Sequence, residues 1–271
     1  MSAFFVLAFS HNAYADSCTS DSLSKPEAAV VKWVYDGDTL LLTDKRKIRI
    51  IGIDTPEVKH HQQKEQAYAA KAREALRELL KHYDYNINLR FGKEKQDRYK
   101  RQLAHVYTPD GINISNWLLE QGFARLMSIP PNVALANCYQ KAEAQARSQS
   151  LRIWRLKRNQ TQTVKSLSKR RKGYVRLKGK VIKIIRHKKS LLIELDSHTK
   201  RHIQVKIKKR NLSYFKKLDP DKLWGQTIEI SGILKKKHGK RRINLSHPSQ
   251  LTVLHKAKAK KNVKPILKWS E

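Results

Sequence analysis

The sequence predicts a mainly β protein with helices, arranged as two small barrels in series. Two groups of short, β-branched segments of alternating polarity supply about five strands each. Helical periodicity interrupts mainly the first group, and a polar, basic, non-periodic stretch at 155–172 separates the groups as a linker would. We therefore predict a first domain at 28–154 and a second at 173–255, each a five-stranded Greek-key barrel of the OB type.

The first domain is expected to combine strands and helices. Its predicted strands are a meander over 29–49 interrupted at Asp36-Gly37, a continuation over 48–53, and segments at 85–92 and 102–107. The continuation stops at Asp54-Thr55-Pro56, where the proline ends the strand and holds the residue before it in an extended conformation. Helices are predicted at 62–82, at 113–122 and around 143–149.

The second domain repeats the strand alternation. Its predicted strands are Val175–Ile185, Ser190–Leu195, His202–Ile207, Thr227–Leu234 and Arg242–Leu245, with a short helix at 211–218. Because the insertion follows the third strand, the order again fits an OB-like barrel. The last residues, 256–271, are expected to form a basic tail.

The charge of the chain indicates a polyanionic partner. Lys and Arg number 58 against 23 Asp and Glu, a net charge of +35. Residues 1–150 carry only +4 of this charge and residues 151–271 carry +31. Nucleic acid, DNA or RNA, is the first candidate partner, and an anionic surface polymer or membrane is the second. No sequence feature requires a protein partner. The 39% hydrophobic fraction excludes a disordered chain.

The N-terminus indicates export to the periplasm or the medium. Residues 1–15 combine an apolar run with Ala13-Tyr14-Ala15, and so resemble the end of a secretory signal peptide. They lack a basic start, which leaves a buried N-terminal strand as the alternative. Residues 16–27 would then be an N-terminal tail. No other apolar run approaches the ~18 residues of a membrane span.

The chain contains two cysteines, Cys18 and Cys138. In an oxidising compartment such a pair is a candidate disulfide that ties the tail to the body. Two unpaired thiols are an equally open interpretation. A lipid anchor on Cys18 is disfavoured, because Asp16 and Ser17 precede it where small apolar residues are expected.

Acidic turns and arginines carry the candidate chemistry. Asp36-Gly37-Asp38-Thr39 is by itself an ordinary hairpin signal, and Asp54-Thr55-Pro56-Glu57 is an ordinary strand end. Together they flank Arg49, and a second cationic cluster follows at Asp97–Arg101. This combination supplies the hard oxygen ligands and guanidiniums that phosphodiester cleavage requires.

Each group has a role in such chemistry. Calcium prefers carboxylate and carbonyl oxygens, which Asp38, Asp54 and the Thr55 carbonyl supply. Arginines stabilise charge on phosphoryl oxygens better than lysines do, which favours Arg49 and Arg101 as catalytic residues. A carboxylate such as that of Glu57 orients or deprotonates the attacking water.

The chain resembles the staphylococcal (micrococcal) nuclease, or thermonuclease, family over roughly 28–154. The matching strings are Tyr35–Thr39, Arg49–Glu57, Asp97–Arg101 and Glu143–Trp154. The resemblance implies a calcium ion on Asp38, Asp54 and Thr55 with Asp36 in support. It also implies phosphate contacts from Arg49 and Arg101, and water activation by Glu57. Substrate contacts are assigned to Arg98, Tyr99 and Lys100.

Two departures from the family pattern alter these expectations. Lys100 stands where the family usually has glycine, and the segment 125–130 lacks the tyrosines that line the family's nucleotide pocket. Base stacking contributes about 1 to 3 kcal/mol per base. We therefore expect the first domain to hold substrate weakly by itself.

The second domain is the predicted anchor for the polymer. Its candidate anchor residues flank a hairpin tip at His238-Gly239 and are Lys235, Lys236, Lys237, Lys240, Arg241 and Arg242. Cations that neutralise phosphates release counterions and supply affinity without sequence preference. The aromatic residues Tyr174, Tyr214, Phe215 and Trp224 are interpreted either as stacking platforms or as core residues.

The sequence leaves competing functions open. A secreted, calcium-dependent nuclease is the first hypothesis. A nucleic-acid-binding protein without catalysis is the second, and the presence of the acidic residues and both arginines argues against it. A binder of anionic surface polymer is the third.

Overall fold

The computed structural model describes residues 18–58, 65–168, 170–196, 203–237 and 240–255. The predicted signal peptide at 1–15, the hairpin tip at His238-Gly239 and the basic tail at 256–271 lie outside the described residues. Within those ranges, no helix has the length and apolar character needed to cross a bilayer.

The first domain contains a closed five-stranded barrel. Its strands are β1 (Glu27–Asp36), β2 (Thr39–Leu42), β3 (Lys47–Ile50), β5 (Asn86–Gln96) and β6 (Gln102–Tyr107). They close in the order β1-β2-β3-β6-β5, with β3 and β6 parallel. A separate two-stranded ribbon pairs β4 (Gly52–Asp54) with β7 (Arg125–Met127). The predicted OB-type barrel with helices is confirmed.

Three helices pack on this barrel. They are α1 (Ala69–Lys81), α2 (Ile114–Glu120) and α3 (Ala136–Ser148). The first begins later than the pattern predicts, because Tyr68 adopts a left-handed conformation with φ 72°. The second is capped by Asn113, whose side chain accepts a hydrogen bond from the amide of Asn116 at 3.0 Å. Leu76 and Leu80 of α1 are fully buried in the barrel core.

The second domain repeats the same strand order. It is built from β9 (Gly173–His187), β10 (Ser190–Leu195), β11 (Ile203–Lys208), β12 (Thr227–Lys237) and β13 (Lys240–Leu245). The order is β9-β10-β11-β13-β12, a β12–β9 pairing closes the barrel, and β11 and β13 are parallel. The helix predicted at 211–218 is a 3-10 helix at Lys209–Phe215. A further strand, β14 (Leu251–His255), pairs with β12.

The stretch predicted as a linker is partly built into the second barrel. It contains β8 (Thr161–Thr163), which runs parallel to β9. Val164 and Leu167 are 2% and 1% exposed and belong to the second core. The sequence prediction missed this because two isolated apolar residues in a basic stretch show no periodicity.

A disulfide joins Cys18 to Cys138, whose Cα atoms are 5.9 Å apart. It ties the tail before β1 to α3. The Cys18 carbonyl also accepts hydrogen bonds from the Tyr107 hydroxyl at 2.8 Å and the Asn113 side chain at 2.9 Å. The candidate pairing is therefore present, and the tail is anchored at its first described residue.

The two barrels meet at a buried ion-pair network. The guanidinium of Arg176, on β9, lies 3.1 Å from Glu143 of α3 and 2.5 Å from Glu229 of β12. Arg147 of α3 reaches Glu229 at 3.2 Å. Ser128, which follows β7, also receives hydrogen bonds from Ser246 and Ser249 at 3.0 Å. Through its ion pair with Arg176, Glu143 of the first domain is thus joined to the second domain.

Candidate active site

The turn between β1 and β2 carries two buried carboxylates, and that of Asp38 lies beside Arg49. Asp36 and Asp38 are 7% and 3% exposed. Asp38 lies 3.0 Å from the guanidinium of Arg49 and accepts a hydrogen bond from the amide of Thr55 at 2.9 Å. A Cβ atom at Gly37 would lie 2.7 Å from the Thr55 side chain. Glycine therefore allows the β1–β2 turn to pack against the end of β4.

Arg49 is held rigidly on β3. Its terminal nitrogens donate to the carbonyls of Ile50 at 2.8 Å and Ile53 at 2.9 Å, and its side chain is 13% exposed. Three partners on two strands and one turn fix the orientation of the guanidinium. Such preorganisation is what stabilisation of a developing charge requires.

Arg101 belongs to the same site through Thr39. Its guanidinium donates to the Thr39 hydroxyl at 3.3 Å, and that hydroxyl donates to Asp38 at 3.1 Å. Arg101 also pairs with Asp97, at 2.8 Å from both Nε and a terminal nitrogen. The structure thus brings Asp38, Arg49 and Arg101 together.

Asp97 organises the loop that carries Arg101. Its other carboxylate oxygen accepts from the amides of Tyr99 at 2.8 Å and Arg101 at 3.0 Å. Burial alone would raise the pKa of Asp97, but the hydrogen bonds from Arg101 and from these amides lower it. The sequence prediction did not assign Asp97 a role, although Asp is a typical turn residue because its side chain binds the backbone amide two residues further on.

The predicted substrate-binding residues form the exposed part of this loop. Tyr99 is 64% exposed, and the guanidinium of Arg98 lies 4.6 Å from the centre of its ring. Arg101 lies 5.5 Å from the same ring. Lys100 has φ 61°, a left-handed conformation. This agrees with the expectation that the position favours glycine.

Replacing Lys100 by glycine is expected to raise the free energy of unfolding by about 0.5–1 kcal/mol, because glycine adopts the left-handed conformation without steric cost. The free energy of unfolding is measured by urea titration with tryptophan fluorescence as the signal. The matched control is Lys95→Gly in the exposed end of β5, where glycine weakens an extended strand. Equal or lower stability of the Lys100→Gly variant relative to that control would show that the loop is not strained.

Asp36 lies within electrostatic range of two other carboxylates, those of Asp38 and Glu57. Burial first, then the charges of Asp38 and Glu57, raise the pKa of Asp36 to about 7. Glu57 itself is exposed and lies three residues beyond the end of β4. Its carboxylate is therefore open to water while its charge reaches the buried pair.

Asp54 is paired with a residue that the sequence prediction missed. Asp54 and Arg125 are register partners on β4 and β7, and their side chains form an ion pair at 2.6 Å. The guanidinium of Arg125 lies 4.6 Å from the centre of the Tyr174 ring, on the second barrel. Asp54 and Asp38 are joined through Thr55, whose amide binds Asp38.

The donor chemistry of the cluster fits a hard cation. Asp36, Asp38 and Asp54 supply carboxylate oxygens, which Ca²⁺ prefers, and the buried Thr55 hydroxyl has no hydrogen-bond partner in the described part of the chain. A bound cation would reduce the electrostatic repulsion between Asp36 and its acidic neighbours Asp38 and Glu57. Among the described residues, no three His, Cys, Asp or Glu side chains are gathered tightly enough to form a metal cluster. The Asp54 side chain is paired with Arg125.

The predicted anchor residues lie on the β12–β13 ribbon. Backbone register partners are Lys235 with Arg242, Lys236 with Arg241, and Lys237 with Lys240. Lys235, Lys236 and Lys240 are exposed. Arg241 donates to the Ser168 carbonyl at 3.0 Å, and Arg242 donates to Gln204 at 2.8 Å. Like charges on facing strands repel, so this ribbon favours a bound polyanion.

The second-domain aromatics divide between core and surface. Phe215 is 4% exposed and belongs to the core, whereas Trp224 is 38% exposed. Tyr214 packs partly buried against the core. Tyr174 lies at the domain junction under Arg125.

Comparisons with known proteins agree with this site. The family model described as staphylococcal nuclease homologue matches residues 47–156. The thermonuclease of Staphylococcus intermedius is 32% identical over 133 residues, which are 47% of this chain and 76% of that protein. The SPbeta prophage-derived endonuclease YokF of Bacillus subtilis is 35% identical over 124 residues, 44% of this chain and 41% of YokF. Endonuclease YncB of the same organism is 33% identical over 124 residues and is covered over 57% of its length.

The site combines an acidic turn with two fixed guanidiniums on an OB-type barrel. The relatives of the chain are named as nucleases. Together these findings define a hydrolase of the nuclease class. The chain belongs to the staphylococcal nuclease family. The second barrel lies outside the matched residues 47–156.

Proposed function

We propose that this protein is an exported, calcium-dependent nuclease that hydrolyses phosphodiester bonds of DNA and RNA, with a basic second barrel that holds the polymer. The observation that carries the proposal is the connection of Arg49, Asp38, Thr39 and Arg101 into one hydrogen-bonded site. Two guanidiniums and a buried carboxylate within one such group suit a phosphate substrate.

The two arginines stabilise the transition state. Attack on phosphorus places additional negative charge on the phosphoryl oxygens. Arg49 is fixed by backbone carbonyls and Arg101 by Asp97, so neither guanidinium has to reorient as that charge develops. Planar guanidiniums offer paired donors to a phosphate, which a lysine does not.

Glu57 acts on the attacking water. Its exposed position next to the acidic turn leaves the carboxylate in contact with solvent. A carboxylate there accepts the proton of the water as the oxygen bonds to phosphorus. Glu57 is therefore the proposed general base.

Asp38, Asp54 and the Thr55 carbonyl would hold calcium, with Asp36 in support. When bound, the ion would supply Lewis-acid stabilisation of a phosphate oxygen. For Asp54 to take part, its carboxylate has to leave Arg125 or share it. The residue that competes for this carboxylate is thus on β7.

The polymer is held mainly by charge on the second barrel. The cations of the β12–β13 ribbon provide affinity that is independent of sequence and sensitive to salt. Export is supported by the Cys18–Cys138 disulfide, because such bonds persist in oxidising compartments.

The test is cleavage of single-stranded DNA and of RNA by the purified full-length chain, with calcium or with chelator, beside Glu57→Gln. We expect cleavage with calcium, none with chelator, and a loss of at least ~100-fold in the variant. Glu120→Gln, a carboxylate at the end of α2 outside the site, is the control and should cleave like the unaltered protein. Tight binding without any cleavage would instead support the non-catalytic binding protein. Equal rates with Glu57→Gln would reject the assigned base.

A further inference from the structure

At the junction between the barrels, Arg171 lies close to two further arginines, Arg125 and Arg158. Arg125 lies on β7, Arg158 follows the first domain, and Arg171 precedes β9. Asp54 pairs with Arg125 at 2.6 Å. Within the described ranges, no carboxylate pairs with Arg158 or Arg171. The junction therefore carries an excess of positive charge close to a proposed calcium ligand.

We call Arg125, Arg158, Arg171 and Tyr174 the junction cluster. Tyr174 contacts two of its three arginines. The ring of Tyr174 lies 4.6 Å from the Arg125 guanidinium. The guanidinium of Arg171 donates a hydrogen bond to the Tyr174 carbonyl at 2.5 Å and another to the Arg158 carbonyl at 3.0 Å. Backbone carbonyls thus fix the Arg171 guanidinium, and they leave its charge unneutralised.

The electrostatics of Arg171 indicate a missing anion. Its Nε atom is buried and has no hydrogen-bond partner in the described structure. Burial lowers the pKa of Arg171, and the charges of Arg158 and Arg125 lower it further. Crowded cations of this kind are stabilised when an anion binds between them.

The junction cluster lies on the way from the catalytic residues to the basic ribbon. Gly173 is the register partner of Leu234 on β12, one residue before Lys235. On the other side, Arg125 is the register partner of Asp54. A strand that runs from the first barrel to the β12–β13 ribbon would therefore pass the junction cluster.

We infer that Arg171 and Arg158 form a phosphate subsite, which takes a backbone phosphate of the nucleic acid strand beyond the one held by Arg49 and Arg101. The inference rests on the proposed function for the nature of the ligand. It adds the path of the strand across the domain junction. Tyr174 is a positioning residue in this subsite, because its carbonyl fixes the Arg171 guanidinium.

The test is binding of a labelled single-stranded 16-nucleotide DNA to the full-length chain in chelator, measured by fluorescence anisotropy at several salt concentrations. Arg171→Gln and Arg158→Glu are compared with Lys189→Gln, an exposed lysine in the turn at the far end of β9. We expect each arginine variant to raise Kd about five- to tenfold and to reduce the salt slope by about one unit. The control should change Kd by less than about twofold.

Arg158→Glu keeps the test decisive if Arg171→Gln fails to fold, because Arg158 is exposed and contributes only its backbone carbonyl to the described hydrogen bonds. Kd values for Arg158→Glu equal to those of Lys189→Gln would overturn the subsite. Because chelator is present throughout, this outcome is separate from a failure of catalysis, which the cleavage assay detects.

Discussion

Replacing Arg49 by lysine is expected to reduce cleavage of single-stranded DNA by about 100- to 1,000-fold at saturating calcium. Lysine keeps the positive charge beside Asp38, yet it cannot donate to the Ile50 and Ile53 carbonyls and to a phosphate with the same fixed geometry. The loss should fall on kcat, because the guanidinium acts on charge that develops in the transition state. Single-turnover kinetics measures it directly.

The matched control is Arg46→Lys on the same barrel. Arg46 pairs at the surface with Glu27 at 2.6 Å and Asp44 at 2.7 Å, so its replacement should change the rate by less than about twofold. Thermal unfolding of both variants shows whether the fold is kept. An Arg49→Lys variant that is folded and as fast as the control would remove Arg49 from the mechanism.

Replacing Arg176 by methionine is expected to lower the free energy of unfolding by about 3–5 kcal/mol, the cost of leaving a buried charge without its partner. Arg176 is 7% exposed and bridges Glu143 and Glu229. Burial lowers the pKa of its guanidinium, but Tyr174 and the two carboxylates raise it overall. Without the Arg176 guanidinium, the Glu143 carboxylate keeps the hydrogen bond from the Leu126 amide at 2.8 Å but has lost its ion pair.

Two further variants test the cause of this loss. Arg186→Met removes a more exposed pair with Asp221 at 2.8 Å and should cost less than about 1 kcal/mol. Adding Glu143→Gln to Arg176→Met should recover part of the stability, because the unpaired charge is then removed. Urea unfolding gives each free energy. No recovery in the double variant, or equal losses at 176 and 186, would contradict the network as the source.

Local chemistry made much of the fold predictable from the sequence. Alternating β-branched runs located the barrel strands, and β10 has the predicted bounds Ser190–Leu195. The Asp36-Gly37-Asp38 turn was identified because Asp-Gly pairs favour hairpins, and the structure places it next to Arg49. These features depend on residues that are close together along the chain.

Features that depend on distant register were not predictable in this way. The pairing of Asp54 with Arg125 follows from β4 meeting β7, and no pattern near either residue indicates it. Val164 and Leu167 resemble linker residues until β9 supplies their neighbours. Arg176 and Glu143 are likewise ordinary surface residues by pattern and become buried only when the two barrels meet.

The shared strand order of the two barrels lets their hairpins be compared position by position. Gly37-Asp38 joins β1 to β2, and the two residues between β9 and β10 are Lys188 and Lys189. The second barrel thus has lysines where the first has its proposed metal-binding carboxylate. Under the proposed function, the described residues then contain one set of cleavage residues per molecule. We therefore expect each molecule to nick one strand of a duplex per encounter, so that relaxed circles accumulate before linear molecules.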